Sequence, residues 1–206
     1  MERIRRSEST VLKKLIGTRD KDEKRPTKLE HVLLVGKYED MLQQDLRVDG
    51  LHVQFGVGNS QTVSQINLRC YPVLRELIIG DECFQYVSEL VLDGFESLEK
   101  VETGMRCFTK TKGTRFEINK CHQLQTIKIG KQCFSNWTVF LLKACDSLQK
   151  VEIDNDCFSH CAMACFEGLS TRTHSCVDLP GLEVISLGSS VFKGDCEDSE
   201  LIMRSG

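Results

Sequence analysis

Apolar and polar positions recur along this chain with a period of about 24 residues, the length of a single solenoid repeat. The clearest marker is a Cys-Phe pair at Cys83-Phe84, Cys107-Phe108, Cys133-Phe134 and Cys157-Phe158, with a fifth version at Val191-Phe192. Each pair begins three residues after Gly80, Gly104, Gly130, Asp154 or Gly188, so the spacing is nearly even until a longer last step. Six residues before each such Gly or Asp stands Leu74, Leu98, Leu124, Leu148 or Leu182. Three before it stands Leu77, Val101, Ile127, Val151 or Ile185, and one before it Ile79, Thr103, Ile129, Ile153 or Leu187. The step of two between these last columns puts both side chains on one face of a strand and turns the residue between them outward. Each unit therefore predicts a strand, a tight turn and a buried pair.

A second strand is predicted in the same unit. Ile66 and Leu68, Leu90 and Leu92, Phe116 and Ile118, and Phe140 and Leu142 lie eight and six residues before the opening Leu. Tyr71, Phe95, Cys121, Cys145 and Leu179 form a further apolar column three residues before it. A unit this short cannot bury its own apolar face, so copies must stack. The expected fold is mainly β: a solenoid of about five to six rungs over residues 50–206, with an N-terminal, partly helical capping segment. Val53-Gln54-Phe55-Gly56, ending one such period before Gly80, reads as a divergent first rung. The rung at Asp154 is longer by about ten residues, and the spacing puts the extra length around Cys161–Thr171.

The ends of the chain follow other patterns. Residues 1–28 are charged and turn-rich and are expected to form a disordered tail. Residues 29–49 carry Leu29, Val32, Leu33, Tyr38, Met41, Leu42 and Leu46. These form a broken helical stripe suited to capping the first rung, with His31–Val35 a strand as the alternative. At the other end Leu201 and Met203 resemble one more second strand, and no C-terminal cap is apparent.

Charge narrows the range of partners. The net charge of the 206-residue chain is −3. Residues 1–28 carry +5, which leaves −8 for the body. An acidic body is a poor match to phosphate, so nucleic acid is not an expected partner. No apolar run has the ~20 residues a spanning helix needs, so membrane insertion is not expected. The first residues lack the apolar core of a secretory signal. Together with eleven Cys, an odd number, this places the chain in a reducing, cytoplasmic setting.

The stretch Cys121-His-Gln-Leu124-Gln-Thr-Ile127-Lys-Ile129-Gly130-Lys-Gln-Cys133-Phe134 resembles the BspA-like leucine-rich repeats. Cys145 through Phe158 has the same layout, with Asp154 for Gly. The family has Ala where this chain has the repeated Cys. The resemblance covers residues 50–206 and implies that the expected fold is a leucine-rich-repeat solenoid of about five to six rungs, a binding module without catalytic apparatus.

Three sets of residues are candidates for chemistry or contact. Cys83, Cys107, Cys133 and Cys157 would stack in one column and read as small buried hydrophobes, because Val191 fills the same position. Cys157, His160, Cys161, Cys165, His174 and Cys176 could instead build a zinc- or thiol-dependent enzyme on the 157–176 stretch, although no paired C-x2-C is present. The outward strand positions Gln54, Ile78, Glu102, Lys128, Glu152 and Ser186 would form a ladder, flanked by Arg75, Glu76, Lys100, Thr126 and Lys150. That ladder either pairs neighbouring strands or binds a protein, with Ile78, Glu102, Lys128, Glu152, Arg75, Lys100 and Lys150 as the contact residues. Trp137 is expected partly buried at a bend, or exposed as a contact on the opposite surface. The expected function is a non-enzymatic protein–protein interaction or scaffold module, with no cofactor and no metal. Its partner is another protein, and the C-terminal rung offers a route to self-association and a self-assembling structural role.

Overall fold

The computed structural model describes residues 28–43, 45–167, 184–194 and 200–204. Nearly all of the charged tail expected over 1–28 lies outside them. The apolar columns become twelve short strands. They are β1 Val32–Val35, β2 Gly50–Val53, β3 Glu76–Ile79, β4 Glu89–Asp93, β5 Lys100–Thr103 and β6 Arg115–Asn119. Then follow β7 Thr126–Ile129, β8 Val139–Lys143, β9 Lys150–Ile153, β10 Met163–Glu167, β11 Val184–Leu187 and β12 Glu200–Arg204. A 3-10 helix at Tyr38–Leu42 is the one helical element among the described residues. The chain winds alternately through two sheets. One has seven strands in the order β1-β2-β3-β5-β7-β9-β11, the other five in the order β4-β6-β8-β10-β12. Every pairing is parallel, so the molecule is a β-solenoid of about five turns.

The turns after β3, β5, β7, β9 and β11 of the larger sheet explain the Cys-Phe pair. Two residues per turn have left-handed backbone: Glu82 and Phe84, Arg106 and Phe108, Gln132 and Phe134, Asp156 and Phe158, Ser190 and Phe192. Each costs roughly 1 kcal/mol or more for a residue other than Gly. Hydrogen bonds in both directions hold the conformation. The Glu82 amide donates forward to the Met105 carbonyl, and the Phe84 amide donates back to the Val57 carbonyl. The rings then stack: Phe108 on Phe134 at 4.5 Å, Phe134 on Phe158 at 4.9 Å. A second column, Phe116 on Phe140 at 5.2 Å, meets the first edge-on. Such pairs contribute about 0.5–1.5 kcal/mol each beyond the area they bury.

Four details differ from the sequence expectation. First, the opening rung is two positions further from its neighbour than the alignment of Gly56 on Gly80 implies, because Val53 pairs with Ile79. Gly56 and Gly58, with φ of 72° and 73°, take the two left-handed positions, and neither is the marker Gly. Gly58 has a second reason to be Gly, since a Cβ there would overlap the Phe84 ring. Phe55 consequently leaves the core and is 70% exposed. Second, Ile66 and Leu68 form no strand, although Leu68 is buried. Third, the stripe over 29–49 is mainly strand β1 followed by the short 3-10 helix, whose Met41 packs into the core.

The fourth detail concerns the long rung. Met163–Glu167 pairs in register with Val139–Lys143, the same step that separates Gly80 from Gly104. The extra length therefore lies between Glu167 and Val184 and not at Cys161, and His174 and Cys176 fall outside the described residues. At the end of the chain Leu201 and Met203 lie in β12, which pairs with β10.

Candidate functional site

The outward residues of the larger sheet form two adjacent columns. One runs Leu34, His52, Ile78, Glu102, Lys128, Glu152 and Ser186. The other runs Glu76, Lys100, Thr126, Lys150 and Val184. His52, not Gln54, is the neighbour of Ile78, as the longer first step requires. Ile78, Glu102, Lys128, Glu152, Lys100 and Lys150 thus meet on one face. Leu34 and His52 were hidden from sequence reasoning by the misplaced first rung. The signal that could have found them is the pair Leu51 and Val53, which has the same step of two as Leu77 and Ile79.

The charges on this face are cross-linked. His52 Nε2 lies 2.7 Å from Glu76 Oε2. Lys100 Nζ bridges Glu76 at 3.2 Å and Glu102 at 3.1 Å, and Lys128 reaches Glu102 at 3.4 Å. Lys150 pairs with Glu152 at 2.9 Å. Partial burial works against the Lys100 ammonium, but its hydrogen bonds to Glu102 and Glu76 outweigh that and hold its pKa above the ordinary value. Partial burial likewise opposes ionisation of Glu102, and the Lys100 hydrogen bond and charge overcome it, so its pKa is lowered. Arg75 stands apart at the bend before β3. Its guanidinium grips Glu99 with Nε at 2.9 Å and Nη2 at 3.0 Å, which raises its pKa. A ladder paired this thoroughly stabilises strand neighbours, while its apolar members Leu34 and Ile78 are left without ionic partners.

The thiols have a structural role that the sequence reading missed. Cys83 Sγ donates to the Gln54 carbonyl at 2.9 Å, Cys107 to Gly80 at 3.0 Å, Cys133 to Gly104 at 3.0 Å and Cys157 to Gly130 at 3.1 Å. Each therefore satisfies a backbone acceptor in the preceding turn, which Ala or Val could not do. Burial pushes Cys145 and Cys157 up to about 12, and Cys121 and Cys161 up to about 11. Thiols with such values are poor nucleophiles and poor metal ligands at neutral pH. Cys161 lies in the core, whereas Cys165 lies on the outward side of β10 between inward-facing Ala164 and Phe166. Among the described residues no group of three or more His, Cys, Asp or Glu is placed to hold a metal ion.

Trp137 is fully buried, not half-buried at a bend, with its ring edge-on to Phe134 at 4.8 Å. A cleft of about 770 Å³ at the bend is lined by Lys28, Glu30, His31, Arg47, Asp49 and Arg75. Three of its charges are engaged: Asp49 accepts from the Glu30 and His31 amides, Arg47 grips Asp45 and Arg75 grips Glu99. No helix among the described residues is long and apolar enough to cross a membrane. No protein-family model, curated protein or solved structure matches the chain.

Proposed function

We propose that the chain is a non-catalytic protein-binding module of the BspA-like leucine-rich-repeat type. It captures another protein on the outward face of its seven-stranded sheet. The observation that supports this reading is the column in which 45%-exposed Leu34 and half-buried Ile78 flank His52 and lead into Glu102, Lys128 and Glu152. Apolar anchors beside ordered charges are what a recognition surface needs: the first supply affinity and the second selectivity. A rigid parallel stack holds that surface without an ordering cost on binding. The cytoplasm suits the module, because the thiol column donates hydrogen bonds only while its cysteines are reduced.

The test is affinity capture from cytosol with three immobilised proteins: wild type, the double variant Ile78→Asp/Lys128→Glu, and Arg115→Glu on the other sheet as control. The expected result is a specific partner retained by wild type and control and lost by the double variant, with all three still folded at the temperature of the assay. The same captured set on all three would place recognition elsewhere.

A further inference from the structure

The charges in the middle of the seven-stranded sheet form a checkerboard with one square left open. On β5 Lys100 stands beside Glu102, and on β9 Lys150 stands beside Glu152. On β7, between them, Lys128 stands beside Thr126. Register sets Glu102, Lys128 and Glu152 in one column of alternating sign. The other column runs Glu76, Lys100, Thr126 and Lys150, so Thr126 holds the place where alternation calls for a carboxylate.

That square suits an anion. Strand geometry sets Lys100 and Lys150 about 4.8 Å from Thr126 and Lys128 about 7 Å along the same strand, whereas Glu102 and Glu152 lie on the diagonals at about 8 Å. Coulomb energy falls with distance, so the three nearer cations outweigh the two carboxylates. The lysines also stand higher. The Lys128 and Lys150 side chains are 57% and 46% exposed, against 28% for Glu102 and 38% for Glu152. An ammonium has three donors. Lys100 divides its own between Glu76 and Glu102, but Lys128 meets only Glu102 and Lys150 only Glu152 among the described residues. Lys128 and Lys150 therefore keep donors for a ligand, with the Thr126 hydroxyl between them. A ladder that only paired strands would be better served by Glu at 126, which would meet a lysine across both strand gaps.

We infer that a protein segment bound on this face seats an Asp or Glu side chain over Thr126, with Lys128 and Lys150 donating to its carboxylate and an apolar side chain resting on Ile78. This rests on the sheet-face reading and specifies the chemistry of its partner. Ile78 lies two strands from Thr126 in the adjacent column, a separation of about 12 Å, close to that of residues four apart in an extended segment.

A library of random dodecapeptides displayed on phage, selected on the immobilised full chain, tests it. Enriched peptides should share an acidic residue and an apolar residue at a fixed spacing. As synthetic peptides they should lose roughly tenfold or more in affinity when that acid is changed to Gln, and as much when the protein carries Thr126→Glu, whose own carboxylate fills the square. On Thr126→Glu the change of acid to Gln should cost nothing further, because the two carboxylates compete for one place. Thr126→Glu should remain folded at the assay temperature, since its side chain pairs with Lys100 and Lys150. No enrichment, enriched peptides without a shared acid, or equal affinity for Thr126→Glu and wild type would each overturn the inference. The two readings fail separately. Peptides that bind Ile78→Asp/Lys128→Glu as tightly as wild type would count against the sheet face itself. Peptides lost by that double variant but kept by Thr126→Glu would remove only the acidic seat.

Discussion

A Cβ on Gly113 would overlap the indole of Trp137 one turn further along the stack. The fully buried Trp therefore exists in its present position because the rung before it supplies no side chain there. The indole Nε1–H finds no acceptor among the described residues, so the ring is held by packing alone. Gly113→Ala is expected to destabilise the fold by about 1–3 kcal/mol, the cost of overpacking a filled core. Trp137 is the chain's single Trp. Its fluorescence reports the site directly: blue-shifted emission in wild type, moved to the red in the variant at temperatures where both remain folded.

The thiol column makes a second expectation. If Cys133 were only a small hydrophobe, Val would replace it at little cost, as Val191 stands in the last copy of the repeat. The Cys133 thiol, however, donates to the half-buried Gly104 carbonyl and accepts from the buried Cys107 amide. Cys133→Val should thus lose about 1–3 kcal/mol in urea unfolding, the cost of leaving a buried polar group unsatisfied. Alkylation checks the same picture. Burial holds Cys121, Cys145, Cys157 and Cys161 well above the ordinary thiol range, so labelling at pH 8 should reach them only when the protein unfolds.

The ion ladder has a pH window. The Glu102 carboxyl is held below its ordinary value of 4.5 in the fold, so its contribution is complete above that pH and is lost as pH falls through the lower folded value. Lys100 is held above 10.5, so its contribution is complete below that pH and is lost as pH rises through the higher folded value. Melting temperature should be flat near neutrality and fall on both sides. Lys100→Met should flatten both limbs, because it removes the group that links Glu76 and Glu102. A variant with limbs as steep as wild type would show that other groups govern the response.

The repeating columns made the solenoid legible because a stacked parallel strand demands the same side chain type at the same step in every turn. Leu77, Val101, Ile127 and Val151 are buried where their spacing puts them, and Ile78, Glu102, Lys128 and Glu152 face outward between them. The candidate site was legible as columns but not as bonds. Nothing in the order of residues says that Lys100 bridges two carboxylates from different turns, or that Arg75 reaches Glu99.

The remainder depends on contacts between turns. Aligning one Gly on another misplaced the first rung, because Gly56 serves a left-handed turn and Gly80 does not. Trp137 reads from its spacing as partly buried at a bend, and only Gly113 of the neighbouring turn makes room for its full burial. Periodicity is a property of the chain and can be read along it. Register and cavity filling are properties of how one turn lies on the next, and only the assembled stack decides them.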